Sequence, residues 1–142
     1  MFATFDKRRF PLIHIKLSGT IHSDAEFDSI VQEWKLCNDT RKPYTIIFDS
    51  TDAGIIDIKY AVKIAHFIQT LKTQSDAVYL EKSIIICKGT YIRSMLSVIF
   101  KLQKPNSPVY IVNSKEKANE LYIQIQNGLG FYDPDVSFIQ TE

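Results

Sequence analysis

Three carboxylates lie within one short polar segment, between an apolar run and an apolar-periodic stretch: Asp49, Asp52 and Asp57. Ser50 and Thr51 add two hydroxyls to the same segment. Side chains of these types can accept a phosphoryl group, bind a hard cation or act as a general base. They are equally typical of a polar turn between a strand and a helix, where they have no chemical role.

The spacing of these residues does not fit the phosphatase and calcium-site motifs in which clustered carboxylates are common. A phosphatase of the haloacid-dehalogenase type needs a second carboxylate two positions after its nucleophile, and Thr51 lies two positions after Asp49. A calcium loop beginning at Asp49 needs an acid at its twelfth position, which is Tyr60. The sequence has no phosphate-binding loop, nucleophile elbow or dinucleotide motif. We therefore predict a protein that is not an enzyme and uses neither a metal nor a cofactor.

The overall composition predicts a single folded domain. The chain has 142 residues, of which 45% are hydrophobic and 23% charged. A net charge of +1 gives no reason to expect a nucleic-acid partner, and the longest apolar runs are too short for an integral membrane segment or a signal peptide. Two cysteines fit buried thiols in a reducing, cytoplasmic setting. We expect one domain over 1–142, with a core at about 10–126 and a C-terminal extension at 127–142.

Hydrophobic periodicity predicts alternating strands and helices. Four strands are predicted, at Phe10–Gly19, Tyr44–Ser50, Ser83–Gly89 and Val109–Ser114. A helix follows each of them, and the first helix begins with a capping-box pattern at Ser23 and Glu26. The last helix competes with a hairpin, because LYIQIQ also alternates ahead of Asn-Gly. This order predicts an α/β fold with a mainly parallel, four- to five-stranded sheet and covering helices.

Two helices carry features that favour partner binding. On the second helix, Lys59 and Lys63 belong to a polar stripe that is either solvated or a patch for an anion, a lipid headgroup or an acidic partner. On the third helix, Leu102 belongs to the predicted inward stripe, but Tyr91, Val98 and Phe100 extend the apolar coverage beyond it. Such coverage is typical of burial, of a protein or homodimer interface, or of contact with a membrane surface.

From about residue 10 to about residue 125, the pattern and order of the segments resemble a STAS domain, the SpoIIAA-like fold of anti-sigma-factor antagonists and sulphate-transporter tails. The family's opening strand with its glycine is similar to FPLIHIKLSGTI. Its central strand, two aspartates, loop and helix are similar to TIIFDSTDAGIIDIKYAVKIAHFIQTLK. Its next strand and helix are similar to SIIICKGTYIRSMLSVIF, and its closing pair to PVYIVNSKEKANEL. The resemblance implies a STAS-like sheet and a regulatory role exercised through protein binding.

The sequence departs from that family at one informative position. In phosphorylatable STAS domains, serines follow the second aspartate, whereas here Ile58 and Lys59 follow Asp57. The nearby hydroxyls occupy other positions: Ser50, Thr51 and Tyr60. The resemblance therefore implies an interaction module without the serine-phosphorylation switch.

A weaker resemblance is to the lipid-binding lobe of CRAL-TRIO (Sec14-like) proteins, in the central strand, the lysine-bearing helix and the strand PVYIVN. Those domains are longer and have a helical N-terminal lobe and a gate over the lipid.

Three hypotheses follow, and each predicts a different structure. A STAS-like interaction module predicts no internal cavity and a flat surface with Val98 or Phe100 exposed. Its partner would be another protein or a second copy of the chain, and the candidate binding residues are Asp49, Ser50, Thr51, Asp52, Asp57, Lys59, Tyr60, Lys63, Val98 and Phe100. The alternative, a small lipid or apolar-ligand binder, predicts an apolar pocket of roughly a few hundred Å³. An enzyme predicts converging carboxylates with strongly shifted pKa values.

Overall fold

The computed structural model describes residues 1–74, 79–128 and 137–139, which contain six strands and four helices. Helices and strands alternate after the second strand. The strands are β1 (Ala3–Asp6), β2 (Leu12–Gly19), β3 (Tyr44–Ala53), β4 (Leu80–Ile86), β5 (Val109–Val112) and β6 (Ser137–Ile139). The helices are α1 (Asp24–Asp39), α2 (Ile58–Gln74), α3 (Thr90–Leu102) and α4 (Lys115–Gln126). The predicted α/β class is confirmed, and α4 confirms the helix over the competing hairpin.

The strands form one sheet in the order of the chain, β1-β2-β3-β4-β5-β6. The four central strands pair parallel with one another, whereas β1 and β6 pair antiparallel at the two edges. A helix connects each parallel strand to the next, as parallel pairing requires. The four predicted strands thus make the centre of a mainly parallel sheet, and the edge strands bring the number described to six. One of these, β6, comes from the predicted C-terminal extension.

Serine side chains begin two of the helices. At α1, the Ser23 Oγ accepts a hydrogen bond from the Glu26 amide at 3.1 Å, as the capping-box pattern predicts. In a capping box, the Glu26 carboxylate would accept a hydrogen bond from the Ser23 amide. Here it accepts from the amide one residue earlier, that of His22, at 3.1 Å. At α4, the Ser114 Oγ accepts from the Lys117 amide at 3.1 Å.

The alternation of side chains along the strands gives the sheet two faces with different cover. We call the face that packs against α4 the one-helix face; its buried cluster consists of Leu12, Ile47, Ile84, Ile86, Val112, Ala118 and Leu121. We call the opposite face, which packs against α1, α2 and α3, the three-helix face. The candidate site residues lie on one of these two faces, on the helices that cover it or in the loops at the edge of the sheet.

Two sequence predictions need correction. First, β3 continues to Ala53 instead of ending at Ser50, so that Asp52 lies within the strand instead of after it. The pairing of β2 with β3 extends as far as Ala53, and this backbone ladder outweighs the turn preference of the polar side chains. Second, Leu102 is 56% exposed, because α3 ends there, beyond its last buried residue, Ile99.

Candidate functional site

The strand aspartates Asp49 and Asp52 have separate environments. Asp49 lies on the one-helix face, half-buried, and its Oδ1 accepts the Thr51 amide at 3.0 Å. Asp52 is exposed, with its Oδ2 3.3 Å from the Lys16 Nζ. Partial burial acts to raise the pKa of Asp49, but hydrogen bonds from Thr51 and the charges of Lys16 and Lys115 outweigh it, so that the pKa lies below its ordinary value. A general base that works near neutral pH needs the opposite shift.

The third aspartate begins a helix. The Asp57 Oδ1 accepts a hydrogen bond from the Lys59 amide at 2.9 Å, immediately before α2. This confirms the predicted capping role, which also places a negative charge at the positive end of the helix dipole. The polar segment is therefore a strand end and a helix cap, and its three carboxylates have different partners.

The loop between β3 and α2, residues 54–57, is held by backbone and tyrosine contacts. The Gly54 amide donates to the Gly19 carbonyl at 2.7 Å, and a Cβ at position 54 would lie only 3.3 Å from that oxygen. From α3, the Tyr91 hydroxyl donates to the Ile56 carbonyl at 2.5 Å and accepts from the Ile56 amide at 3.0 Å. Sequence analysis treated Tyr91 only as an apolar residue. Its hydroxyl fixes the start of α2 relative to α3.

The three hydroxyls of the candidate set differ in access. Ser50 is 5% exposed, and its Oγ donates to the Ile86 carbonyl at 2.5 Å. Tyr60 is 4% exposed, and its hydroxyl donates to Asp24 at 3.0 Å. Thr51, on the opposite face from Ser50, is exposed. A phosphoryl-transfer enzyme could therefore reach Thr51 directly, but Ser50 only after the sheet opened.

Five residues form a contact between α1 and α2, which we call the α1–α2 cluster: Asp24, Phe27, Lys59, Tyr60 and Lys63. Lys59, Tyr60 and Lys63 belong to the predicted binding residues, whereas Asp24 and Phe27 do not. Asp24 Oδ1 lies 3.3 Å from Lys59 Nζ and Asp24 Oδ2 3.5 Å from Lys63 Nζ, and Tyr60 donates to the same carboxylate. Phe27 stacks on Tyr60 with ring centroids 5.2 Å apart. Hydrogen bonds from Tyr60 and Lys59 hold the pKa of Asp24 below its ordinary value. Asp24 was not among the predicted residues, because its position in the first turn of α1 does not indicate that it contacts α2.

The apolar residues of α3 do not lie where the interaction hypothesis expects them. Val98 and Phe100 are half-buried and pack against the buried cluster between α2 and α3. Three exposed aliphatic side chains lie instead on α2 and the loop before it: Ile55 at 80%, Ile58 at 55% and Val62 at 51%. We call these three residues the α2 patch.

An apolar cavity of about 200 Å³ lies between the sheet and the helices of the three-helix face. Its walls include Trp34, Phe48, Ala61, Ile64, Ile85 and Leu96. Among the described residues, no Asp, Glu, Lys, Arg or His lines it, and no member of the one-helix cluster does. The cavity contradicts the expectation of no internal cavity under the interaction-module hypothesis, whereas the apolar-ligand hypothesis predicted such a pocket.

The cavity coincides with a division in the packing of that face. The buried residues there form three clusters: one around Trp34 and Ile46, one around Ala61 and Met95, and one around Ile85 and Val109. Residues from all three line the cavity. It therefore occupies the space where the clusters meet.

The cysteines do not belong to a metal-binding group within the described ranges. No group of three or more His, Cys, Asp or Glu side chains is close enough there to hold a metal ion. Cys37 and Cys87 are both free and buried. Their Sγ atoms donate to the carbonyls of Glu33 at 3.4 Å and Gly89 at 3.2 Å, and burial raises the pKa of Cys37. A raised thiol pKa disfavours the nucleophilic thiolate.

Comparisons with protein-family models and with curated proteins found no match for this chain. Over residues 1–74, 79–128 and 137–139, no helix is both long enough and apolar enough to cross a membrane.

Proposed function

We propose that this chain is a non-enzymatic binding domain that holds a small apolar ligand inside the three-helix face. The observation that carries the proposal is the cavity of about 200 Å³, whose described lining includes no Asp, Glu, Lys, Arg or His. An apolar cavity of about 150 Å³ is large enough to bind benzene, and pockets for drug-sized ligands begin at about 300 Å³. The ligand is therefore between these sizes, smaller than a complete membrane lipid.

The polar residues support a binding role more than a catalytic one. Asp49, Asp52 and Asp57 each have a different partner, and none of them lines the cavity. The pKa of Asp49 lies below its ordinary value, which keeps the carboxylate charged and weakly basic. An active site needs its acid, base or nucleophile within reach of the bound molecule.

Two measurements test the ligand proposal. Native mass spectrometry of protein purified from its own source should show a retained small molecule. Calorimetric titration of ligand-free protein should show binding of toluene. The Ala61→Leu variant should lose toluene binding, because Ala61 is 1% exposed and lines the cavity, so that a larger side chain fills the space.

Val62→Leu is the matched control, because Val62 neighbours Ala61 on α2 but is exposed. It should bind toluene like the unmodified protein. A protein that carries no small molecule from its source and binds no toluene would contradict the proposal.

A second proposal keeps the STAS-like interaction module, in a form without the serine-phosphate switch. It is supported by the strand–helix order of the parallel sheet and by the α2 patch, which lies beside the predicted partner-binding residues Asp57 and Lys59. Three exposed aliphatic side chains on one helix start are typical of a contact surface. We propose a second copy of the chain as the partner.

Sedimentation equilibrium tests this second proposal. The unmodified chain should form dimers, and Ile58→Asp should shift it to monomer because the substitution places a charge in the apolar contact. Leu36→Asp is the matched control, since Leu36 is similarly exposed on α1, away from the patch. A monomer at every concentration would contradict self-association.

We further propose that the chain works in the cytoplasm. Both cysteines are free and buried, which fits a reducing compartment. Detection of the tagged protein in cell fractions tests this directly.

A further inference from the structure

Ser83 contributes a hydroxyl group to the wall of the apolar cavity. It precedes Ile84 on β4, and the Ile84 side chain belongs to the one-helix cluster. Because successive side chains of a strand point to opposite faces, the Ser83 side chain points to the three-helix face. Its partner in register on β5 is Val109, which is buried on that same face and also lines the cavity. The Ser83 side chain therefore points into the layer that contains the cavity.

The Ser83 hydroxyl is buried in the protein but still accessible from the cavity. Ser83 is 5% exposed, and within the described ranges its Oγ makes no hydrogen bond. Two described polar atoms are completely enclosed and have no partner, the Trp34 Nε1 and the Asn106 Oδ1. The Ser83 Oγ is not one of them, so that it retains accessible surface. Since Ser83 is almost completely buried and lines the cavity, a molecule in the cavity can reach this surface.

Other polar groups of the cavity wall are already paired within the protein. The Ser50 Oγ donates to the Ile86 carbonyl at 2.5 Å. The Asn106 Nδ2 donates to the Ile68 carbonyl of α2 at 3.1 Å. Buried polar groups in folded proteins are nearly always paired, and an unpaired one is destabilising. A bound molecule can therefore supply the hydrogen bond that the Ser83 hydroxyl lacks.

We propose that the Ser83 hydroxyl forms a hydrogen bond with the ligand, which is a small, neutral molecule with an apolar body and one hydroxyl or carbonyl group. This inference rests on the proposed ligand-binding function and adds the chemical class of the ligand. A serine hydroxyl can donate to either group and can accept from a hydroxyl. Neutrality follows from the lining, because a buried charge without a partner in so apolar a cavity would be strongly disfavoured.

Phenol and toluene are suitable probes, because they have nearly the same shape and only phenol carries a hydroxyl. Calorimetric titration gives the dissociation constant of each probe for the unmodified protein and for Ser83→Ala. The change in toluene affinity measures any general effect of the substitution on the cavity. Phenol affinity should fall about tenfold more than toluene affinity, the value of one hydrogen bond.

Ser50→Ala is the matched control, because it removes a hydroxyl that lines the same cavity but already has a protein partner. It should leave the ratio of phenol to toluene affinity unchanged. If both probes bind and Ser83→Ala leaves their ratio unchanged, the inference about Ser83 is overturned while the ligand-binding function stands. If neither probe binds the unmodified protein, the proposed function itself fails.

Thermal unfolding of the ligand-free variants gives a second, independent measurement. Ser83→Ala should raise the melting temperature, because it removes an unpaired polar group from an apolar layer. Ser50→Ala should lower the melting temperature, because it removes a buried hydrogen bond. A lower melting temperature for Ser83→Ala would show that the protein itself already pairs this hydroxyl, which would overturn the inference.

Discussion

On the one-helix face, α4 places Ala118 and Leu121 against Ile84, Ile86 and Val112, all at most 2% exposed and in one cluster. On the three-helix face, three helices cover the same sheet, and their buried residues divide into three clusters around a cavity. Buried Ile, Val and Ala occur on both faces, whereas the buried side chains of Trp34, Phe67 and Met95 lie on the three-helix face. Burial of apolar side chains therefore does not by itself fill a layer, because their shapes must also fit together.

The side chains at the centre of the layers account for part of the difference. Ala118 on α4 presents only a methyl group, which lets that helix approach the sheet closely. On the opposite face, the Trp34 ring contacts Phe48 and Phe67, with centroids 5.5 and 5.3 Å away, and fills one part of the layer. Ala61 lines the cavity in another part, where its methyl group leaves space unfilled.

The largest expected loss of stability comes from substituting Ile84 or Ile85, two neighbours on β4 whose side chains point to opposite faces of the sheet. Ile84 is 0% exposed in the one-helix cluster, whereas Ile85 is 6% exposed and lines the cavity. Ile84→Ala should lower the free energy of unfolding by about 4 kcal/mol, and Ile85→Ala by about 2 kcal/mol, since Ile85 has fewer contacts to lose. Urea denaturation measures both values. Equal losses would mean that the two faces are equally well packed.

The next largest expected change in stability comes from replacing one buried alanine on each face by leucine. Ala118 is 0% and Ala61 1% exposed, and both lie on helices. Ala118→Leu should destabilise by about 1–3 kcal/mol through overpacking, whereas Ala61→Leu should change stability by less than about 0.5 kcal/mol because the cavity accommodates it. Thermal unfolding compares the two variants. A large loss of stability in the Ala61→Leu variant would contradict the presence of free space beside Ala61.

A smaller effect distinguishes the neighbours Ser50 and Thr51. Ser50→Ala removes the buried hydrogen bond to the Ile86 carbonyl and should cost about 1 kcal/mol. Thr51→Ala, at an exposed position, should change the free energy of unfolding by less than about 0.5 kcal/mol. Urea denaturation of both variants gives the difference. The reverse ranking would show that Ser50 is not the more constrained hydroxyl.

The smallest effect concerns the α1–α2 cluster and depends on pH. Because the folded-state pKa of Asp24 lies below 3.8, its ordinary value, this carboxylate stabilises the fold above that pH, and its contribution is lost as the pH falls through the lowered pKa. Asp24→Asn should therefore reduce the drop in melting temperature between about pH 5 and about pH 3. Tyr60→Phe removes the first cause of the shift and should act in the same direction. An unchanged drop in both variants would show that the cluster does not stabilise the contact between α1 and α2.

Local patterns were sufficient to predict most of the fold. Strict strand–helix alternation indicated the parallel centre of the sheet, and Ser23 and Asp57 marked helix starts through capping chemistry. The edge strand β1 escaped prediction because four residues are too few to show a period. The end of β3 was placed too early because its ladder with β2, and not its own residues, carries it to Ala53.

The sequence by itself determined which residues are apolar, that Ser23 and Asp57 can cap helices and that Ile58 instead of a serine directly follows Asp57. Only the tertiary structure decided that Lys59 and Lys63 share Asp24, that Phe100 lines a cavity and that the Asn106 Oδ1 has no hydrogen-bond partner among the described residues. Capping and periodicity act between residues a few positions apart, so that a linear pattern records them. Contacts between α1 and α2, or between a loop and α2, join residues more than 30 positions apart. They depend on how closely the layers pack, which no local pattern contains.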